Sequence, residues 1–368
     1  MNGEATVLPE GVRTLLDVVR WRAEERPSET AYVWLEDGSV EGARLDFAAL
    51  DRRCRALAVR LRELGLRPGA RAILAPPPGL DFVVGFLGAI YAGAAPVPLY
   101  PPDPARLDRS LPRFLSALRD ARPSVLLTSK ELVAAAAALP GGLALPALAL
   151  DEVAEQGADD WSRPEVDESS VAFLQYTSGS TGDPKGIVVR HRQILGHLSK
   201  IETDIGPDRF VRSVSWMPMY HDMGLVAHTL LPVFCGVTSV LMPPLAFLQQ
   251  PLRWLRSIAR YRATWSGSPN FGFELCVRRA RDADLEGLDL SSWLLAYSGA
   301  EPVRPDTFAR FADRFAPCGF RREALCGAYG LAESTLTVSM ETSRRPPRTI
   351  ELEPKALEAN RVVPLAPG

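Results

Sequence analysis

The sequence predicts an α/β protein, layered, with mostly parallel sheets. Short runs rich in Val, Leu, Ile and aromatic residues alternate along the chain with helical patterns, which is how α/β layers are written. The helical patterns are amphipathic, with one apolar stripe of the kind that packs on a sheet. A 46% hydrophobic and 23% charged composition over 368 residues gives enough apolar material for a large core.

In chain order, the first informative run is Leu80 to Leu99. A bilayer span needs about 20 apolar residues in one helix. Asp81 and several glycines interrupt this run, and Pro96 and Pro98 would end a helix near Ala92 or Gly93. It therefore reads as a buried helix followed by a strand. Further strands are expected at Ser124–Thr128, Val171–Tyr176, Gly186–Val189, Val211–Trp216, Val237–Met242 and Trp293–Tyr297. Residues 251–262 form a helix with Leu252, Leu255 and Ile258 or Ala259 on one stripe and Arg253, Arg256 and Arg260 opposite. Residues 305–315 form another, opened by Pro305, with Phe308, Phe311 and Phe315 stacked as core. The Ala/Leu run 132–150 is broken by Pro140, Gly141 and Gly142, and 151–167 is acidic. A boundary is placed near 165, so residues 1–165 make a first α/β unit and 166–339 a second that carries the motifs. Residues 340–368 are polar and Pro-rich.

The net charge of −2 creates no basic field for nucleic acid. Cys54, Cys235, Cys276, Cys318 and Cys326 are scattered and odd in number, without a C-x-x-C pair, which fits a reducing compartment. No secretory signal opens the chain, and a cytoplasmic location is expected.

The densest local signal is Tyr176–Gly186, YTSGSTGDPKG, entered and left by apolar strands. Its glycines admit backbone conformations closed to other residues, so successive amides can converge on an anion. Thr177, Ser178, Ser180 and Thr181 add hydroxyl donors, and Lys185, one of only four lysines, adds a point charge suited to phosphate. It is not a Walker loop, because Pro184 stands where that motif has Gly before its Lys. A plain surface turn is the alternative. His221, in WMPMYHDMG, can offer an N–H to a carboxylate or phosphate oxygen. Glu333, in YGLAE, offers a hard carboxylate oxygen. His191, His197 and His228 read as structural. The arginine face of 251–262 reads as solvated, with a dock for an acidic carrier protein as the alternative.

The string at 176–186 resembles the signature of the adenylate-forming (AMP-binding) superfamily. WMPMYHDMG at 216–224, SGAEP at 298–302 and YGLAE at 329–333 resemble its later motifs in the same order. The resemblance implies the N-terminal domain of an adenylate-forming enzyme, with ATP and Mg²⁺ as cofactors. A carboxylate oxygen would attack the α-phosphorus and pyrophosphate would leave, a reaction governed by positioning and charge stabilisation. It implies ATP contacts from Thr177, Ser178, Gly179, Ser180, Thr181, Gly182 and Lys185. Ser298, Gly299, Ala300 and Glu301 would form the adenine turn, and Tyr329, Gly330, Ala332 and Glu333 would complete the site, with Tyr329 by the adenine and Glu333 on the metal. His221, Glu333 and Lys185 are the implied catalytic residues.

Within the superfamily the chain is most similar to fatty acyl-AMP ligases. The similarity rests on 216–225, on PLAFLQQPLRWL at 244–255 leading to SPNF at 268–271, and on GAEPVR at 299–304 with FAPCGF at 315–320. This implies a long-chain fatty acid as substrate and an acyl carrier protein as acceptor. Residues from Met340 to about Pro367 would be a family-specific insertion linked to refusal of coenzyme A. An acyl tail wants an apolar wall, since each buried CH₂ is worth about 0.8 kcal/mol. Met219, Met223, Gly224, Leu225, Phe271 and Phe273 are the candidates, with core packing as the alternative for each. The rival readings are an acyl-CoA ligase, an amino-acid adenylation domain and a non-catalytic nucleotide-binding remnant. The second is disfavoured because 268–273 holds no acid to bind an ammonium group. Ser298 departs from the Asn common in the family. The family's later Asp, Arg and Lys motifs do not occur before Gly368, so the domain reads as truncated and is expected to adenylate poorly.

Overall fold

Apolar runs become fourteen strands among the residues described by the structure, a computed structural model: 5–102, 106–137, 145–177, 185–341 and 344–365. The first six strands are β1 (Thr30–Leu35), β2 (Glu41–Asp46), β3 (Arg71–Leu74), β4 (Ala95–Pro98), β5 (Val125–Thr128) and β6 (Ala147–Ala149). A hairpin follows, β7 (Val171–Thr177) and β8 (Lys185–Arg190). The rest are β9 (Arg212–Ser215), β10 (Thr238–Leu241), β11 (Trp265–Ser268), β12 (Leu295–Ser298), β13 (Leu325–Gly330) and β14 (Thr337–Met340).

An eight-stranded sheet has the order β14-β13-β12-β11-β9-β10-β1-β2, and a four-stranded sheet the order β4-β3-β5-β6. Pairing is parallel throughout the smaller sheet and in the interior of the larger one; β2 and β14, at its two edges, run antiparallel to their neighbours. This is the expected α/β class. The strands do not divide at residue 165: β1 and β2 precede it, yet they complete the larger sheet. The reason lies in TAYVWL, whose buried run suits an inner strand covered on both faces.

Leu80–Tyr91 is a buried helix that stops before Gly93, whose φ of +75° turns the chain into β4. No described helix is long and apolar enough to cross a membrane. The phenylalanine stripe on helix Pro305–Phe315 is buried as expected. On helix Leu252–Tyr261 the arginines are occupied within the chain. Arg256 pairs with Asp284 at 2.9 Å, Arg260 donates to the Ser39 carbonyl at 2.7 Å, and Arg253 lies 3.5 Å from Asp37. Two of the three charges thus face carboxylates of the same chain.

Candidate active site

The parallel strands β9, β11, β12 and β13 present their carboxyl ends on one edge of the large sheet, where ligand crevices form in open α/β sheets. The motifs at 216–224 and 298–302 leave the ends of β9 and β12, and the motif at 329–333 leaves β13. There a cavity of about 380 Å³ is lined by His221, Asp222 and Met223, by Gly299 and Ala300, and by Tyr329, Gly330, Ala332 and Glu333.

Local geometry explains why these residues converge. Gly299 abuts β13: a Cβ there would lie 2.8 Å from the Ala328 carbonyl oxygen. Ala300 then takes a φ of +65°, a sparsely populated conformation of the kind that clusters at functional sites. At the tip of the β13–β14 hairpin, a Cβ on Gly330 would meet the Leu336 carbonyl oxygen at 2.0 Å, so only glycine lets this turn close. The turn presents Glu333 to solvent and leaves the Tyr329 ring 62% exposed over the cavity.

His221 is fixed by its own loop. Its Nδ1 lies 2.8 Å from Asp222 Oδ1, and the Met223 N–H reaches both, at 2.6 Å to Asp222 Oδ1 and 3.2 Å to Nδ1, so the ring is oriented by its Nδ1 edge. Gln175 on β7 donates to the Tyr220 carbonyl at 2.9 Å, fastening the hairpin to the residue before His221. β7 also runs beside the turn Ala332–Ser334. The hairpin that carries the glycine- and hydroxyl-rich string is thus anchored next to both His221 and Glu333.

The remaining expected residues divide. Ser178, Gly179, Ser180, Thr181 and Gly182 lie outside the described residues. Thr177 ends β7, opposite Lys185, which starts β8; Lys185 is exposed and does not line the cavity. Ser298 is fully buried behind the wall, its hydroxyl without a partner among the described residues. Glu301 turns away: its carboxylate accepts the Phe271 N–H at 2.7 Å, in the first turn of helix Asn270–Arg279, where an anion is favourable.

Of the acyl candidates, only Met223 lines the cavity. Phe273 is core, its ring 5.0 Å from Phe311 and 5.4 Å from Trp254, because it faces inward from its helix. Leu225 is fully buried core as well. Gly224 packs on the Pro218 carbonyl, which a Cβ would meet at 2.1 Å. Met219 lines a separate small void with Trp34, Phe82 and Met242. Phe271 is partly exposed against Trp216.

The apolar wall comes instead from residues the sequence reading missed: Ile201, Ile205, Phe210, Ala227, Leu231, Trp265, Leu295, Tyr297, Leu336 and Met340. Ala227 belongs to a π-helix, Met223–Leu230, a wide turn that often marks functional sites. Behind the wall His228 is fully buried, with Nε2 2.6 Å from the Tyr297 hydroxyl and Nδ1 2.6 Å from Ser213 Oγ. Burial pushes its pKa down to about 3, so the ring is neutral and holds Tyr297 in place. His197 accepts the Thr337 N–H at 3.0 Å and ties helix His191–Ile205 over the cavity to β14. The period-two pair Leu295/Tyr297 and the i, i+4 pair Ile201/Ile205 were the available signals.

A family model described as AMP-binding enzyme matches residues 19–358. The chain is 39% identical over 360 residues to the medium-chain-fatty-acid–[acyl-carrier-protein] ligase JamA of Moorena producens, covering 96% of this chain and 61% of the relative. It is 38% identical over 367 residues to the putative fatty-acid–CoA ligase FadD21 of Mycobacterium tuberculosis, covering 95% and 63%. The crystal structure of a Legionella pneumophila fatty acyl-adenylate ligase, solved with acyl adenylate and pyrophosphate, superposes with a TM-score of 0.88 at 38% identity. That match covers 94% of this chain and 61% of the other. The chain thus spans about three fifths of the length of these relatives.

Proposed function

The chain belongs to the AMP-binding enzymes, and on that premise we propose that it houses the site at which a fatty acid is activated by ATP to an acyl-adenylate, with pyrophosphate released. The observation that carries the proposal is one cavity with two characters. A polar mouth holds His221, Glu333 and the exposed Tyr329 ring, and it opens onto an apolar interior between the sheet and helix His191–Ile205. An uncharged tail suits that interior, while its carboxylate remains at the mouth beside His221.

In this reading a ring N–H of His221 donates to an oxygen of the carboxylate or α-phosphate, holding two anions together in the geometry of attack. Tyr329 offers its ring to the adenine, and the backbone at Gly299–Ala300 shapes the other side. Lys185 and the neighbouring hydroxyls serve the β- and γ-phosphates. Among the described residues no group of three or more His, Cys, Asp or Glu side chains could hold a metal by itself. A lone Glu333 fits Mg²⁺, which is commonly held by one or two carboxylates while phosphate oxygens and water fill the remaining positions. There the ion would stabilise charge on the leaving phosphates.

The acceptor proposed is the thiol of an acyl carrier protein, in the cytoplasm. The carrier is named for JamA, and coenzyme A for FadD21. Fatty-acid-dependent ATP–pyrophosphate exchange by this chain, abolished in Glu333→Gln, supports the proposal. Exchange driven by amino acids, or no exchange together with no binding of an acyl-adenylate mimic, overturns it. Supplying carrier protein and coenzyme A together, and reading both thioesters by mass spectrometry, decides the acceptor.

A further inference from the structure

We propose that Phe210 closes the apolar end of this cavity and limits the acid to about ten carbons; the inference rests on the adenylation reading of the same cavity. The cavity reaches from Gly299, just past the end of β12, down to Leu295 at its start. From 295 to 299 is four steps of about 3.3 Å, a depth of about 13 Å. Trp265 stands beside Leu295 in register, at the same level. Phe210 packs edge-on against Trp265, with centroids 5.0 Å apart, and is buried. Carbon–carbon bonds of about 1.5 Å at angles near 111° advance about 1.25 Å per carbon, so about ten carbons span that depth.

Phe210 is also the one described residue shared with the wall of a second cavity, of about 620 Å³. That space is lined in part by Arg22, Glu25 and Glu202. Trp21, Val211 and Val237 also line it, so a methylene pushed past the Phe210 ring would enter a space where charged groups stand among apolar ones, a poorer exchange than continuous apolar wall. The ring is thus a partition: apolar tunnel on one side, mixed and charged cavity on the other.

The test is calorimetric titration of this chain with acyl-sulfamoyl adenosines, hydrolysis-resistant acyl-adenylate mimics, of about six to about eighteen carbons. Affinity should rise about fourfold per added methylene while apolar wall remains. It should peak near ten carbons and be at least about tenfold lower by sixteen. Phe210→Ala vacates the length of the ring and should move the peak to about fourteen carbons, with affinity falling again beyond that; Phe210→Leu, a gentler change, should move it by about two. Thermal melts show which variants fold, and the wild-type profile and Phe210→Leu decide the matter if Phe210→Ala does not. Wild-type affinity that climbs steadily to the longest mimic, or a folded Phe210→Leu with an unmoved peak, overturns the inference and leaves the adenylation reading standing. If no mimic of any length binds, that reading falls and the inference falls with it.

Discussion

Gly267→Ala should damage the tunnel wall and the fold together. A Cβ at 267 would lie 2.2 Å from Cζ of Tyr297 and 2.4 Å from Cε1 and Cε2. The ring has little room to retreat, because it is only 5% exposed and its hydroxyl sits 2.6 Å from His228 Nε2. Overpacking of this kind costs about 1–3 kcal/mol. If the ring swings away to relieve it, the bond to His228 breaks and a buried polar group is stranded, for about another 1–3 kcal/mol. The expected total of about 2–6 kcal/mol is a large share of a typical stability of about 5–15 kcal/mol. Urea denaturation followed by tryptophan fluorescence measures the loss, and calorimetry with an acyl-adenylate mimic measures the wall, where binding should weaken about tenfold or more. Tyr297→Leu removes the obstructing ring, so Gly267→Ala should cost less than half as much in the Tyr297→Leu background as in the wild type. A Gly267→Ala protein with the wild-type midpoint and affinity would refute the reasoning. An equal cost of Gly267→Ala in both backgrounds would show that the ring is not what the new methyl strikes.

Three further outcomes are expected. Tyr329→Ala should weaken binding of the mimic by about 1–3 kcal/mol, the worth of one base–aromatic stack, while the melting temperature holds because the ring is already 62% exposed; equal losses in both readouts would mark Tyr329 as structural. His221→Ala should lower the exchange rate by about 10²–10³-fold, as loss of one donor to developing charge does, with little change in melting; a rate within threefold of wild type, on the order of 0.6 kcal/mol, would remove His221 from the reaction. Stability should also fall in acid. Burial holds His228 at about 3 and His191 at about 4, against 6.5 for an unperturbed ring. The unfolded chain therefore takes up these protons first, so the stabilisation is complete above pH 6.5 and drains away as pH drops towards 4. At pH 5 each ring costs about 2 kcal/mol, from about 1.5 units at about 1.36 kcal/mol each. Urea midpoints that match at pH 7 and pH 5 would contradict the buried, neutral assignment.

Much of the fold was legible because local chemistry determined it. Pro96 and Pro98 end the helix before β4, and the Gly/Ser/Thr string separates β7 from β8 within a residue or two of the expected limits. The polar half of the candidate site was legible to the extent that His221, Gly299, Ala300, Tyr329 and Glu333 meet at one cavity, since they sit in short strings whose composition departs from ordinary core or loop. The apolar half was not. Ile205, Phe210, Trp265 and Tyr297 come from separate segments, each with the composition of core, and only the sheet order brings β11 and β12 beside the helix over them. Choosing Phe273 and Leu225 by closeness in sequence to the motifs failed for the same reason: their positions on their helices turn them into the core. Glu301 misled because a helix end claims its carboxylate, a demand visible only once Phe271 is placed.

The most direct measurement is a crystal structure of this chain with an acyl-sulfamoyl adenosine bound. The sulfamoyl group should lie about 2.6–3.2 Å from His221 Nε2, a hydrogen-bond distance. The base should rest on the Tyr329 ring, and the tail should descend between β12 and helix His191–Ile205 towards Trp265. A mimic seated elsewhere on the protein, with the space between His221 and Glu333 filled only by solvent, would contradict the assignment of this cavity as the adenylation site.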